Sequence, residues 1–496
     1  MRSSGILLPI FSLPGRYGIG TFSDEALRFI DFMAEAGQHY WQILPLGPTG
    51  YGDSPYQSVS LKAGNPYLIS LEKLIGQGLL TEAECDEADL GEDDQCIDYG
   101  KLYKNRYALL RTAFGRFKPE ENEAYALFLK ENEGWLHDYA LFMAIKDENE
   151  GRPLSRWDDE LRLRKADALS KAEARLKTEV CFWEFLQYLF YSQWDEVMAY
   201  AHKKGIEIIG DIPIYASADS VEMWVHPELF QLDDNRQMSA VAGCPPDGFS
   251  ASGQLWGNPL YDWDYHKKTG FSWWIDRLRH ISRLYDVVRI DHFRGFDEYY
   301  SIPAEAADAR GGHWEKGPGL DLFRAAADAL GEQRIIAEDL GYVTDSVKKL
   351  VKDTGFANMK VFQFAFDARD TGNSQDYLPD NYPANCVAYT GTHDNETMRG
   401  WLDHIRPEEL NRLAAYLRRP ADDKEGLVEA AVSCLYSSRA DTVIIPMQDL
   451  LGLGNEARIN QPSLSGDNWK WRLQCDALSD MILARKLFRA AAGSHR

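Results

Sequence analysis

The sequence predicts an α/β chain folded as a (β/α)8 barrel with a helical insertion and long active-site loops. Three observations carry the prediction. Short apolar runs rich in β-branched residues recur along the chain, helical patterns fill several gaps between them, and four of the runs deliver a carboxylate after their apolar stretch. Unalternated apolar runs suit strands buried on both faces, as in a parallel barrel. A doubly wound open sheet gives a similar string. The 496 residues allow one large barrel with insertions, or roughly three average domains.

The first run covers residues 5–11. Pro9 interrupts it and Leu13-Pro14-Gly15-Arg16 is a poor cleavage site, so a buried strand fits better than a signal peptide. Ser23 then opens a helix with Asp24 and Glu25 in its first turn. Ala26, Phe29, Ile30 and Met33 form its apolar face, and Gly37 ends it. The second run is 40–46. Residues 71–202 are polar, acidic and helical, with an amphipathic stretch at 182–200. This region is expected to be a largely helical insertion subdomain, leaving 1–70 and 203–496 for the catalytic barrel. Acidic stretches such as 86–95 read as solvated faces. The third run, 206–215, precedes a segment, 216–262, so rich in Gly, Pro and Asn that one long structured loop is expected. Helices over 273–285 and 320–330 lead into runs at 287–292 and 334–340. The last runs are 359–366, 386–390 and 442–447.

Lys and Arg number 54 against 77 Asp and Glu, a net charge of −23. That sign disfavours nucleic-acid and anionic-membrane partners, whose phosphates it repels, and leaves a neutral substrate unaffected. Fourteen Trp and 25 Tyr supply flat rings with polar edges, which suit sugars as well as cores. Cys85, Cys96, Cys181, Cys244, Cys386, Cys434 and Cys475 are scattered without a CxxC pair, so neither a zinc site nor a disulfide framework is expected. No apolar stretch approaches bilayer-spanning length. The expected location is the cytoplasm.

Functional groups in such a barrel gather at the C-terminal ends of the strands. Reading there finds Asp211, Asp291, Glu338 and Asp394. They could be caps and salt bridges closing the barrel mouth. Four separate runs each delivering a carboxylate argue for chemistry instead, because carboxylates are rarely buried without partners. Without a His-x-His pair or dense ligand cluster, a metal-dependent hydrolase is disfavoured, and no metal or organic cofactor is expected. Paired carboxylates suit acid, base and nucleophile work on an acetal, where retention needs two carboxyl groups about 5–5.5 Å apart. Asp291 and Glu338 are spaced as residues on adjacent strands joined by a helix and a loop. Arg289 shares a strand face with Asp291, and its charge is expected to keep that carboxylate ionised. His292 and His393 are placed to hydrogen-bond sugar hydroxyls.

The blocks Arg-Ile-Asp-His-Phe-Arg-Gly (289–295), Ala-Glu-Asp-Leu-Gly (337–341) and Gly-Thr-His-Asp-Asn-Glu-Thr (391–397) resemble the catalytic blocks of 4-α-glucanotransferases of the amylomaltase type, within the α-amylase superfamily. Tyr-Gly-Asp-Ser-Pro-Tyr-Gln (51–57), Pro-Pro-Asp-Gly-Phe-Ser (245–250) and Gly-Gln-Leu-Trp-Gly-Asn-Pro-Leu-Tyr (253–261) are similar to amylomaltases rather than amylases generally. So is Asn460-Gln461-Pro462 with Asn468-Trp469. The resemblance implies that Asp291 is the nucleophile, Glu338 the acid and base, and Asp394 a stabiliser of the distorted sugar. It implies that Arg289, His292 and His393 orient the nucleophile and that sugar. Asp211 and Trp256 would line donor subsites, and Ser54, Tyr56, Phe249 and Gln254 the acceptor side, with Asn460 in the C-terminal block. Gly248 stands where some family members carry an aromatic residue. The implied partners are α-1,4-glucans (maltose, maltotriose, longer malto-oligosaccharides), with glucose as acceptor.

Transfer must outcompete water, which demands a held acceptor and a dry site. The loops 242–260 and 51–57 are long and aromatic enough for that. Two rivals share the sequence features: a retaining α-glucan hydrolase on the same barrel, and a glucan-binding protein without turnover.

Overall fold

Each of the apolar runs overlaps one strand of a closed parallel barrel. The computed structural model describes residues 2–496 apart from Tyr51, 247–249, Tyr342, 368–373, Ser463 and Ser465. In chain order its strands are β1 (Ser3–Leu7), β2 (Tyr40–Gln42), β3 (Glu207–Ile212), β4 (Ala240–Cys244), β5 (Gln254–Pro259) and β6 (Val287–Ile290). Then follow β7 (Glu298–Pro303), β8 (His313–Lys316), β9 (Ile335–Ala337), β10 (Ala357–Val361), β11 (Cys386–Tyr389) and β12 (Thr442–Pro446). The barrel closes in the order β1-β12-β11-β10-β9-β6-β3-β2.

Side chains alternate across each strand. The inward set, Leu7, Ile209, Val287, Ile336, Met359, Val387, Tyr389 and Ile444, forms one buried apolar cluster. The outward set packs on the surrounding helices. Gly210 alternates with Ile209, and a Cβ there would fall 2.1 Å from the Tyr285 ring. Only glycine lets that ring lie against β3.

The helix after β1 runs Asp24–Glu35 with the anticipated buried face, and Gly37 follows at φ +65. Ser23 sits at the N-cap position, but its hydroxyl makes no capping bond and is buried. Between β2 and β3 lie several helices, among them Leu136–Glu148 and the 38-residue Ala166–Lys203, which bends at Leu176. The second half of that long helix lies on the barrel. Its Trp194 packs on Phe22 at 5.2 Å and donates to the Leu284 carbonyl at 3.1 Å, and the Tyr200 hydroxyl donates to Asp31 at 2.9 Å. Much of the aromatic content is spent in this packing, where Phe182, Trp183, Phe185 and Phe190 are all buried. No helix among the described residues is long and apolar enough to cross a membrane.

Segment 216–262 departs from the expectation of a loop. It contains β4 and β5, which join β7 and β8 in a second, antiparallel sheet ordered β5-β4-β7-β8. Its Gly, Asn and Pro content masks strand propensity. The glycine is needed for pairing, because a Cβ on Gly243 would fall 2.2 Å from the Gln254 carbonyl oxygen. The run 359–366 is also strand only in part, turning into a 3-10 segment, Phe362–Ala365, after β10. The helix expected over 273–285 ends at Ile281, whereas Leu320–Leu330 matches its expectation.

Candidate active site

Along the inward faces of β3, β6 and β9 the barrel changes from apolar to charged. On β6, Val287 is followed two residues on by Arg289 and then by Asp291. Register sets Asp211 beside Arg289 and Ala337 beside Ile290. Asp291 and Glu338 are therefore the next residues of neighbouring strands. Their amides extend the ladder past the strand ends, Asp291 to the Ile212 carbonyl at 2.9 Å and Glu338 to that of Ile290 at 3.1 Å.

Arg289 is the electrostatic hub. Its Nη1 donates to Asp211 Oδ2 at 2.6 Å and to Asp291 Oδ1 at 3.1 Å. Burial disfavours the guanidinium charge, yet the two carboxylates hold it well above the ordinary arginine range. Asp211 is fully buried, which raises its carboxyl pKa against the pull of Arg289. It also accepts the Tyr56 hydroxyl at 2.9 Å. Burial pushes Asp291 up to about 6, with Arg289 opposing and Asp211 reinforcing the rise. Arg289 thus offsets burial without reversing it, and Asp291 is still ionised at neutral pH.

Glu338 is pushed further, up to about 8, first by burial and then by the negative charge of Asp291. Its Oε2 accepts the His292 amide at 2.7 Å and its Oε1 the Leu340 amide at 2.8 Å. His292 aims that amide from a left-handed conformation, φ +52, which costs a non-glycine residue about 1–2 kcal/mol. The backbone strain sits between the two carboxylates, where a turn fixing their relation is useful. The His292 ring meets Trp256 edge-on at 4.7 Å. Burial, with Arg294 adding, lowers its pKa to about 3, so the ring is neutral.

Asp394 rides on the turn after β11. Its Oδ1 accepts Asn460 Nδ2 at 2.6 Å and lies 3.3 Å from His393 Nε2. The His393 ring stacks on Tyr56 at 5.3 Å and 13°, and burial lowers its pKa. Tyr56 in turn bonds Asp211, so Asp394, His393, Tyr56, Asp211, Arg289 and Asp291 form one connected chain. Two opposite acidities, a neutral acid beside an ionised carboxylate, are the arrangement for protonating a leaving group while attacking the carbon that bears it.

Of the residues singled out by sequence, Asp211, Arg289, Asp291, His292, Glu338, His393, Asp394, Tyr56, Trp256 and Asn460 are joined by these contacts. Gln254 accepts the Trp256 indole N–H at 3.1 Å. Ser54 accepts the Tyr56 amide at 3.3 Å and makes the turn that carries it. Phe249 and Gly248 lie outside the described residues. Three supports went unread. Arg458 donates to the Asp394 carbonyl at 2.7 Å. Asn258 exchanges side-chain bonds with Gln57 at 3.0 and 3.3 Å. Asp449, 3% exposed, accepts Thr390 Oγ1 at 2.5 Å and the Met398 amide at 2.6 Å, tying both ends of the turn that holds Asp394. Asn258 falls inside a motif already noted and Arg458 stands two residues before another, whereas Asp449 carries no local signal.

Comparison with known proteins identifies the family. A family profile described as 4-alpha-glucanotransferase matches residues 8–478. The chain is 46% identical to a 4-alpha-glucanotransferase of Clostridium butyricum, over 97% of this chain and 98% of that one. It is 47% identical to one of Thermus thermophilus, over 96% of each. Its structure superimposes on the amylomaltase from Streptococcus agalactiae in complex with acarbose, with TM-score 0.96, 41% identity and full coverage of both chains.

Proposed function

The chain belongs to the 4-alpha-glucanotransferase family, and from that premise we propose that it moves α-1,4-glucan segments between malto-oligosaccharides, or to glucose, by retaining double displacement. Asp291 Oδ attacks the anomeric carbon of the donor. The glycosidic bond breaks as Glu338 gives its proton to the departing oxygen, and the shortened glucan leaves. An acceptor hydroxyl then attacks the same carbon, Glu338 takes its proton, and the bond to Asp291 breaks. Two inversions give net retention.

The observation that carries this reading is the pairing of Asp291 with Glu338 on adjacent strand ends, one ionised and one protonated near neutral pH. Asp394, with His393 and Asn460, holds the ring hydroxyls of the distorted sugar. Asp211 and Trp256 serve the donor side. Ser54, Tyr56, Phe249 and Gln254 serve the acceptor side. Residues 71–202 act as a helical subdomain whose last helix also covers the barrel. The thiols of Cys85 and Cys386, both buried, suit a cytoplasmic setting.

Maltotriose incubated with the protein tests the reading, following products and total reducing ends together. Transfer yields glucose and longer glucans at constant reducing ends. Rising reducing ends without longer products identify a hydrolase.

A further inference from the structure

Met359, on β10, belongs to the buried apolar cluster that fills the barrel, and it also touches the charged layer above it. Arg289 Nε donates to its Sδ at 3.4 Å. The rest of the cluster offers the guanidinium little. Its aliphatic members have no acceptor, and the Tyr389 hydroxyl donates to Gln42 Oε1 at 2.8 Å. A buried guanidinium N–H without an acceptor is costly. Met359→Leu would pack as well and leave Nε unpaired. A carboxylate at the same place would satisfy Nε, but it would add a negative charge and compete with Asp291 for Arg289. A thioether is apolar enough for a core and still carries a lone pair. Met359 thus supplies an acceptor without supplying charge.

The contact bears on the reacting pair through geometry. A guanidinium is rigid and planar, so holding Nε fixes the direction in which Nη1 points. Nη1 is shared unequally, with Asp211 at 2.6 Å and Asp291 at 3.1 Å. Released at Nε, the plane is free to turn toward the closer, fully buried Asp211 and away from Asp291. Met359 is itself held from the side of the acid. Asp339, next in the chain after Glu338, accepts the Met359 amide at 3.0 Å. One residue therefore connects the strand end that carries Glu338 with the arginine that serves Asp291.

We propose that Met359 is a positioning residue whose sulfur sets the Arg289 plane so that Nη1 spans Asp211 and Asp291. The inference rests on the reading of Asp291 as nucleophile. The groups that bear on the Asp291 carboxylate are Arg289 on its own strand, Asp211 on β3, Glu338 after β9, His393 and Asp394 after β11, and Tyr56 from the loop 51–57. Met359→Leu changes none of these charges and acts through the Arg289–Asp291 contact. Arg289 opposes the upward push of burial on Asp291, so a looser contact moves the titration of that carboxyl to higher pH.

Met359→Leu nearly conserves volume and is expected to fold with little change in urea midpoint. Its kcat for maltotriose should fall about tenfold, with KM within about twofold. The acid limb of its kcat/KM profile should move up by about half a pH unit or more. Arginine side-chain NMR reads the contact directly. The Nε–H signal lost in Arg289→Lys identifies Arg289, and in Met359→Leu that signal should shift and exchange with solvent faster. A fall in kcat with the acid limb and the Nε–H signal unmoved would show a packing role and overturn the proposal, as would native kinetics in the variant. If the native protein does not turn over maltotriose, the transferase reading fails, while the Nε–H signal still decides whether Met359 holds Arg289.

Discussion

Asp291 and Glu338 have their acidities separated by burial and by each other, and this sets the pH profile. In the proposed mechanism Asp291 must be ionised to attack and Glu338 protonated to release the leaving group. The kcat/KM for maltotriose should therefore rise as pH passes about 6 and fall as it passes about 8. Glu338→Gln should remove the alkaline limb and lower turnover of natural glucans by about 10²–10⁴-fold. A donor with a good leaving group should still glycosylate that variant, which rapid-quench mass spectrometry would detect. Asp291→Asn should lower kcat by at least about 10³-fold while glucan binding persists. Appreciable maltotriose turnover by this variant would contradict the role given to Asp291.

Two elements hold these residues in place. The turn 390–398 is clamped by Asp449, which bonds Thr390 and Met398 from beneath. Asp449→Ala leaves both donors unpaired and lets the turn shift. A misplacement near 1 Å costs about 10²-fold in rate, so steady-state kinetics should show a fall of that order in kcat with the nucleophile intact. The segment 51–57 delivers Tyr56, whose ring covers His393 and whose hydroxyl binds Asp211. Removing it with Tyr56→Ala opens the site to water and loosens the acceptor, so the ratio of hydrolysis to transfer should rise. Comparing reducing-end release with product length measures that ratio, and an unchanged value would refute the part assigned to the loop.

At the scale of the whole molecule, function depends on closing the barrel between its first and last strands. β1 pairs with β12 on one side and β2 on the other. Beneath that seam the Arg496 guanidinium donates to the carbonyls of Tyr436 at 2.8 Å, Ser438 at 3.0 Å, and Ser3 and Asp441 at 3.2 Å each. Arg496→Ala removes four hydrogen bonds at the seam, although Arg2 still reaches the Tyr436 and Ser438 carbonyls and the Ser3 amide that of Asp441. It should destabilise the protein by about 2–4 kcal/mol, read as an earlier urea midpoint with maltotriose turnover at low temperature little changed.

The barrel strands and the carboxylates gathered at their ends were legible in the sequence because both leave local marks. A strand buried on two faces is an unbroken apolar run, and a carboxylate at its end is conspicuous for its neighbours. Asp211, Asp291, Glu338 and Asp394 were readable for that reason. The second sheet was not, since β4 and β5 pair through glycine and proline positions whose propensities speak against strands. Nor was Asp449, whose partners lie more than fifty residues away in the chain. Only the tertiary structure decided that the string of strands closes rather than opens. It also decided that Arg289 stands between Asp211 and Asp291, and that burial separates the acidities of Asp291 and Glu338. Register and desolvation are properties of chain segments brought together, and no single segment records them.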